Sequence, residues 1–416
     1  MTEPIKLAVL GGSGVATPDL VEKLVAAGDR CPAIHVALLG RTADKLEKVG
    51  RFARQIAERA GAPITVSTHT DLAEGLEGAD YVLNQIRVGG YAARAIDETF
   101  PRAFGIPGEE TFGPGGMNNA LRTIPVVLDL CRAIERAAPD ALLLNLTNPA
   151  GMVQYAISRY TDLNAVSICD SPLWMGKAVA AFLGRDYRKL RIRYVGMNHF
   201  GWIVEVCEGN HDLMPEVMAK IADFPGLPIE AEIASAIGAV PHSYFKYYYH
   251  ADRMLATQQD KPARAEQLIA LEAEILAAYE SGDLDAMLAA LKRRGANWYE
   301  GIIIPVMLAQ VHDENAEMPL NVTNGSVVPF LPPEAIVEVP CLVSRACISP
   351  LALTSPVAPD IQAMLVTNAA FEMLWVEAVV ERDYPKALRA LMANHLVHTY
   401  DQAKGLLEEM WPEEWR

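Results

Sequence analysis

Ile5–Leu10 is a short apolar run that ends in Gly11-Gly12-Ser13-Gly14, and Thr17-Pro18 then opens an amphipathic stretch to Ala27. No other stretch of the chain limits its fold as strongly. A strand that runs into glycines and then into a helix is a βα unit, and the glycines let the backbone come close to an anion at the helix N-terminus. Pro18 falls in the first helical turn, where its missing N–H costs nothing. More such units follow. His35–Leu39, Ile64–Ser67, Asp80–Ile86, Ala141–Thr147 and Ala165–Ile168 read as strands. The stretch from Thr42 to about Ala60, Met117–Ala138 and Ala150–Tyr160 read as helices. Alternation of this kind predicts an α/β fold, a Rossmann-like doubly wound parallel sheet with helices on both faces. Ligands bind such sheets at the carboxyl ends of the strands.

The pattern changes after about Leu173. Arg191–Val206 reads as two strands around Gly196-Met197-Asn198-His199, and helices follow over Ala263–Tyr279, Leu284–Arg294, Phe371–Met392 and Tyr400–Met410. Val327–Val339 reads as short, extended and broken by prolines. Residues 1–172 are therefore expected to bind a nucleotide, and 173–416 to form a helix-rich α+β part packed on them.

Composition narrows the function. The 52 acidic and 36 basic residues leave a net charge of −16 with no basic run, which excludes a nucleic-acid binder. An anionic substrate must then be held by a few placed arginines or lysines. No apolar run approaches the ~20 residues of a membrane span, and the opening MTEPIKLAVLGGSG has neither the basic start nor the cleavage region of a signal peptide. The six cysteines lack CxxC spacing and read as the reduced thiols of a cytoplasmic protein. The Asn321 and Asn324 sequons are then chance.

Gly12-Ser13-Gly14-Val15-Ala16-Thr17 fits the dinucleotide turn except that Thr17 replaces its last glycine. The second strand ends in Leu39-Gly40-Arg41, where a ribose-binding acid is expected for NAD. Arg41 can favour a 2′-phosphate, so NADP stays open beside NAD.

Several segments taken together resemble glycoside hydrolase family 4, the NAD- and metal-dependent glycosidases, and especially its 6-phospho-glucosidases. They are Gly11–Pro18, Ile86–Gly90, Arg94 with Asp97-Glu98, Gly113–Gly116, Asn148-Pro149-Ala150, Cys169-Asp170-Ser171-Pro172, Gly196–His199 with Trp202, Tyr244 with Tyr247-Tyr248, Arg264, and Val337-Glu338-Val339-Pro340. The resemblance implies a lactate/malate dehydrogenase-like fold, a homodimer or homotetramer, and a phosphorylated disaccharide or glucoside as substrate. It implies a redox-neutral sequence of oxidation, elimination, addition and reduction that needs NAD and Mn²⁺ or another divalent metal.

The resemblance makes Cys169 and His199 metal ligands; from the residues alone they read as a small buried hydrophobe and a core histidine. Tyr244 is implied as the base that removes the C2 proton, with aromatic packing and a shift to Tyr247 as alternatives. Asp170 is implied as the acid, against a helix cap before Pro172. Gly11, Gly12, Ser13, Gly14, Arg41 and Arg87 stand as cofactor contacts. Arg94, Glu110, Asn148 and Arg264 stand as substrate contacts, with Arg87 a further candidate for the sugar phosphate. Glu109 stands where the family has Gln. Asp170 points to the α-glucosidases, whereas the larger similarity from Tyr244 through Arg264 to Lys292–Gly295 favours a 6-phospho-β-glucosidase. Other readings are a glycosidase for another anionic sugar and an NAD-dependent dehydrogenase of the 2-hydroxyacid type.

Overall fold

The computed structural model describes residues 4–259 and 261–415; Met1–Glu3, at the head of the opening stretch, lie outside them. Strands β1 (Ile5–Leu10), β2 (Ile34–Leu39), β3 (Ile64–His69), β4 (Tyr81–Asn84), β5 (Leu142–Asn145) and β6 (Ala165–Ser167) lie in the order β3-β2-β1-β4-β5-β6, all parallel. This is the dinucleotide-fold order, with its reversal point between β1 and β4. Successive side chains of a strand face opposite ways. Leu7 and Val9 accordingly enter one core and Ala8 and Leu10 the other, so both faces of the sheet are covered. The helices that alternate with these strands or follow them are α1 (Thr17–Ala26), α2 (Ala43–Ala60), α3 (Leu72–Leu76), α4 (Gly90–Asp97), α5 (Gly113–Ala137), α6 (Ala150–Tyr160) and α7 (Ser171–Phe182).

The second half does not build a separate sheet. Strands Ala316–Thr323 and Ile336–Val343 pair antiparallel along their whole length, and the hairpin β7 (Leu190–Met197)–β8 (Phe200–Glu208) follows. A single residue pair, Asn321 with Ser167, joins strand Ala316–Thr323 to β6 of the parallel set, and another, Glu338 with Gly196, joins strand Ile336–Val343 to β7. One sheet therefore runs from the nucleotide-type fold into the mixed half, and its seam lies beside the end of β6.

The regions after residue 323 differ from the sequence reading. Residues 324–335 form a turn rather than extended chain, because buried Asn324 donates from Nδ2 to the carbonyls of Val328, Leu331 and Pro332 at 3.1 Å each. Asn321 and Asn324 are 0% and 1% exposed, so neither sequon can carry a glycan. The long C-terminal helix starts at Pro359, not Phe371, and stops at Glu381. Arg382 takes a left-handed φ of 57°, and Asp383 caps a new helix (Tyr384–Ala393) by accepting from the Lys386 N–H at 2.8 Å. Pro359–Glu381 is long and apolar enough to cross a membrane, contrary to the sequence reading. Half of its apolar window is buried in the fold, and Trp375 donates to the Met117 carbonyl at 2.8 Å, so here it packs as a core helix.

This helix carries a pH-sensitive group. Glu372 is buried, its Oε1 accepts from Asn368 Nδ2 at 2.9 Å, and burial pushes its carboxyl up to about 8. A carboxyl raised in the folded state contributes stability that is whole below its ordinary value of 4.5 and is lost as pH rises through about 8. At ~1.4 kcal/mol per unit the loss is a few kcal/mol. Glu372→Gln keeps the shape and cannot ionise. Thermal melting at a series of pH values should show the wild type losing stability between about pH 5 and 8, with the variant flat; parallel declines would refute this.

Candidate active site

The glycine turn is shaped by close backbone packing. Gly12 N–H donates to the Leu39 carbonyl at 2.8 Å, and a Cβ at Gly12 would lie 2.9 Å from Leu38 Cα and the Leu39 nitrogen. Gly11 has φ +82°, which favours glycine. Gly14 N–H closes back on the Gly11 carbonyl at 3.0 Å, and Ser13 lies against Gly40. Ala16 precedes α1 and offers no side-chain cap, so the helix start is open to an anion. Thr17, at the position of the missing glycine, is buried and its hydroxyl accepts from Gln85 Nε2 at 3.0 Å. Arg41 is exposed at the end of β2.

Beyond β4 lies a set of alternating charges. Glu110, 5% exposed, sits between two arginines: Arg87 Nη1 contacts its Oε2, and Arg94 Nη1 lies 2.7 Å from its Oε1. Arg94 Nε also donates to Glu98 Oε1 at 2.7 Å, and Glu98 Oε2 accepts the Ala265 N–H at 2.9 Å. Arg264, beside Ala265, does not join this cluster: it is exposed and donates to Gln267 Oε1 at 2.6 Å. Asn148 precedes a cis peptide to Pro149 and is tied in through its carbonyl, which accepts from Asn119 Nδ2 at 3.1 Å. The same amide donates to the Glu110 carbonyl at 3.1 Å, tying the loop before α5 to the segment after β5.

Cys169 follows β6 and is buried; burial pushes its thiol up to about 11 against hydrogen bonds from Ser171. His199 stands at the tip of the β7–β8 hairpin in a left-handed conformation, φ 61°, which a non-glycine residue adopts only under strain. Asn198, its neighbour, comes up to the Cys169 thiol, and the fully buried Glu338 carboxylate feels both Cys169 and His199. Glu338 Oε1 accepts from Asn321 Nδ2 at 2.8 Å, but Oε2 has no partner, nor has Asn321 Oδ1. Burial pushes the Glu338 carboxyl well above its ordinary range, so a cation close by is what would keep it ionised. A cation held by a thiolate and an imidazole would do so. Among the described residues no three His, Cys, Asp or Glu side chains gather to enclose a metal, so Cys169 and His199 would leave most of its coordination open.

The Tyr244 ring stacks on the His199 imidazole, centroids 4.4 Å apart and 8° from parallel. Its Oη lies 3.5 Å from Glu109 Oε1, and that carboxylate, then burial, push the phenol well above its usual value of 10. His242, fully buried and held well below its usual range by burial, accepts the Tyr244 backbone N–H at Nδ1, 3.2 Å away. Tyr247 packs on the Tyr244 ring, centroids 5.7 Å apart, and on Phe112 at 6.3 Å, and makes no ring contact with His199 among the described residues. Asp170 occupies the position before α7, yet its carboxylate caps nothing; Oδ2 accepts from the Trp174 indole at 3.0 Å.

Sequence reasoning passed over Thr111 and His242, and gave no role to Glu109 or to Glu338, which it quoted only as part of a matching segment. Also unread was the polar ladder from Asn84 to Asn145 (2.9 Å) and from Asn145 to Ser167 (2.8 Å) across the carboxyl ends of β4, β5 and β6. Its signal was available: an apolar strand closing on a polar residue, as in Tyr81–Asn84 and Leu142–Asn145.

With this geometry in place, comparison with known proteins decides the lineage. The family model "Family 4 glycosyl hydrolase" matches residues 6–185, and "Family 4 glycosyl hydrolase C-terminal domain" matches 194–397. The probable 6-phospho-beta-glucosidase of Bacillus subtilis is 32% identical over 427 residues, covering 99% of this chain and 96% of that protein. The chain belongs to family 4 of the glycosyl hydrolases. The family 4 relative 6-phospho-alpha-glucosidase of Leptotrichia buccalis is 28% identical, covering 97% of this chain and 96% of its own. The 6-phospho-beta glucosidase of Thermotoga maritima, solved with manganese, NAD⁺ and glucose-6-phosphate, shares the family 4 fold at TM-score 0.89 and 24% identity, over 98% of this chain and 97% of its own.

Proposed function

We propose that this family 4 enzyme hydrolyses glucosides phosphorylated at the sugar's 6-position, β-linked ones by preference, with NAD and a divalent metal bound. The observation that carries the reading is the meeting of Cys169, His199 and Tyr244 at the carboxyl edge of the sheet, through the His199–Tyr244 stack and the Asn198 contact with Cys169. Three relatives named above, two called 6-phospho-β-glucosidases and one a 6-phospho-α-glucosidase, support the substrate class. When bound, nicotinamide supplies a reversible oxidation at C3 of the sugar, and the divalent ion supplies Lewis-acid polarisation of the neighbouring oxygens.

The chain's own residues do the rest. Gly11, Gly12, Ser13 and Gly14 let the backbone approach the pyrophosphate. Arg87 and Arg94, with Arg264 at the next helix start, are the cations for the sugar phosphate in an otherwise acidic protein. Glu110 holds the first two in place until a phosphate shares them. Asn148 offers a donor and an acceptor to sugar hydroxyls. Tyr244 takes the C2 proton at its phenol oxygen. A phenol raised as this one is makes a poor base, and positive charge held at His199, on which its ring lies, acts against that shift and favours the phenolate. Asp170 delivers a proton to the departing glycosidic oxygen, oriented by Trp174. The six unpaired thiols suit a reducing cytoplasm.

A second reading, a 6-phospho-α-glucosidase, draws support from Asp170, whose carboxylate is not used as a helix cap. A panel of α- and β-nitrophenyl glucosides, with and without 6-phosphate, assayed with Mn²⁺, NAD⁺ and a thiol, separates these. Turnover of the β-linked 6-phosphate alone is expected. Turnover of the α-anomer would transfer the assignment to the second reading, and equal rates on unphosphorylated glucosides would remove the phosphate from it.

A further inference from the structure

Two side chains, Glu109 and Thr111, form a hydrogen-bonded chain behind the His199 imidazole. Glu109 Oε2 accepts both the backbone N–H and the hydroxyl of Thr111, each at 2.5 Å. The Thr111 hydroxyl oxygen lies 3.1 Å from His199 Nδ1. The other Glu109 oxygen faces the Tyr244 hydroxyl at 3.5 Å. Among the described residues His199 Nε2 has no hydrogen bond.

Donor counting gives this chain a direction. A hydroxyl has one proton. The Thr111 N–H, which can only donate, and the Thr111 hydroxyl converge on Glu109 Oε2, and the Tyr244 hydroxyl faces Oε1. These donors favour the ionised carboxylate against the burial and the Glu110 charge that push it up. With its proton given to Glu109, the Thr111 oxygen can only accept from His199. The imidazole proton is then on Nδ1, and the Nε2 lone pair is free. An imidazole whose second nitrogen is fixed in this way is a better and better-aimed ligand.

We infer that Thr111 and Glu109 are positioning residues that fix His199 as its Nδ1–H tautomer and present Nε2 to a divalent metal, an inference that rests on His199 being a metal ligand. Glu109 then serves two neighbours at once, since one carboxylate braces the proposed ligand through Thr111 and faces the proposed base directly.

The test uses the full chain. Mn²⁺ is titrated into metal-free protein and free Mn²⁺ is read by electron paramagnetic resonance, while ¹⁵N spectra of histidine-labelled wild type without metal report the His199 tautomer. Thr111→Val, which keeps the shape and deletes the hydroxyl, should weaken Mn²⁺ binding by about 10- to 100-fold with NAD⁺ affinity unchanged. Thr111→Ser should restore it to within about threefold. Wild-type His199 should carry its proton on Nδ1. Valine binding Mn²⁺ as tightly as wild type, or a wild-type proton on Nε2, would overturn the inference; the second measurement needs no variant to fold. Unchanged Mn²⁺ affinity in both Cys169→Ser and His199→Ala would instead overturn the underlying metal-site reading, and the wild-type tautomer would still decide the direction of the chain.

Discussion

Tyr244→Phe is expected to abolish turnover while leaving the fold and NAD⁺ binding in place. The substitution removes one oxygen. The ring that stacks on His199 at 4.4 Å stays, and so does the backbone N–H held by His242. The deleted hydroxyl makes a single long contact, 3.5 Å to Glu109, so little stability goes with it. A positioned general base contributes roughly 10²–10⁴-fold to rate, and a fall in kcat of about three orders of magnitude is the expected reading. Melting temperature and NAD⁺ affinity should stay near wild type. Tyr247→Phe is the control for the neighbouring position: that ring packs on Tyr244 and Phe112 and not on His199, so the loss of its hydroxyl should be minor. A Tyr244→Phe enzyme that stays within tenfold of wild type would remove Tyr244 as the base, and a dead Tyr247→Phe enzyme would move the role three residues along.

The parallel half of the fold was legible because its signals are local. Apolar runs closing on glycines or polar residues mark β1, β4, β5 and β6, and both faces of each strand are buried as such runs require. The helix from Pro359 was misplaced because its apolar residues run all round it, with no stripe to mark a face, and its true end is set by the left-handed backbone of Arg382. The seam of the sheet at Asn321–Ser167, and the join of the second-half hairpins at Glu338–Gly196, each rest on a single pair that no pattern announces. The site divides in the same way. Cys169, Asp170 and the glycine turn lie at strand ends that the sequence marks. Thr111 lies 88 residues from His199, and Glu109 lies 135 from Tyr244, so their contacts exist only in the folded chain. The resemblance groups Arg264 with Arg94, but in the fold its backbone neighbour touches that cluster while its guanidinium turns to Gln267.

The hydrogen at C2 of the sugar carries the central claim. If Tyr244 removes that proton, the base and its product exchange with solvent before the proton returns. A displacement by paired carboxylates never breaks the C2–H bond, so the two chemistries differ completely in one observable. The measurement is to hydrolyse a 6-phosphoglucoside in D₂O with Mn²⁺ and NAD⁺ present, and to read the isotope at C2 of the released sugar phosphate by proton NMR and mass spectrometry. Deuterium at C2 in essentially every product molecule is the predicted result. Product holding only protium at C2 would contradict the account.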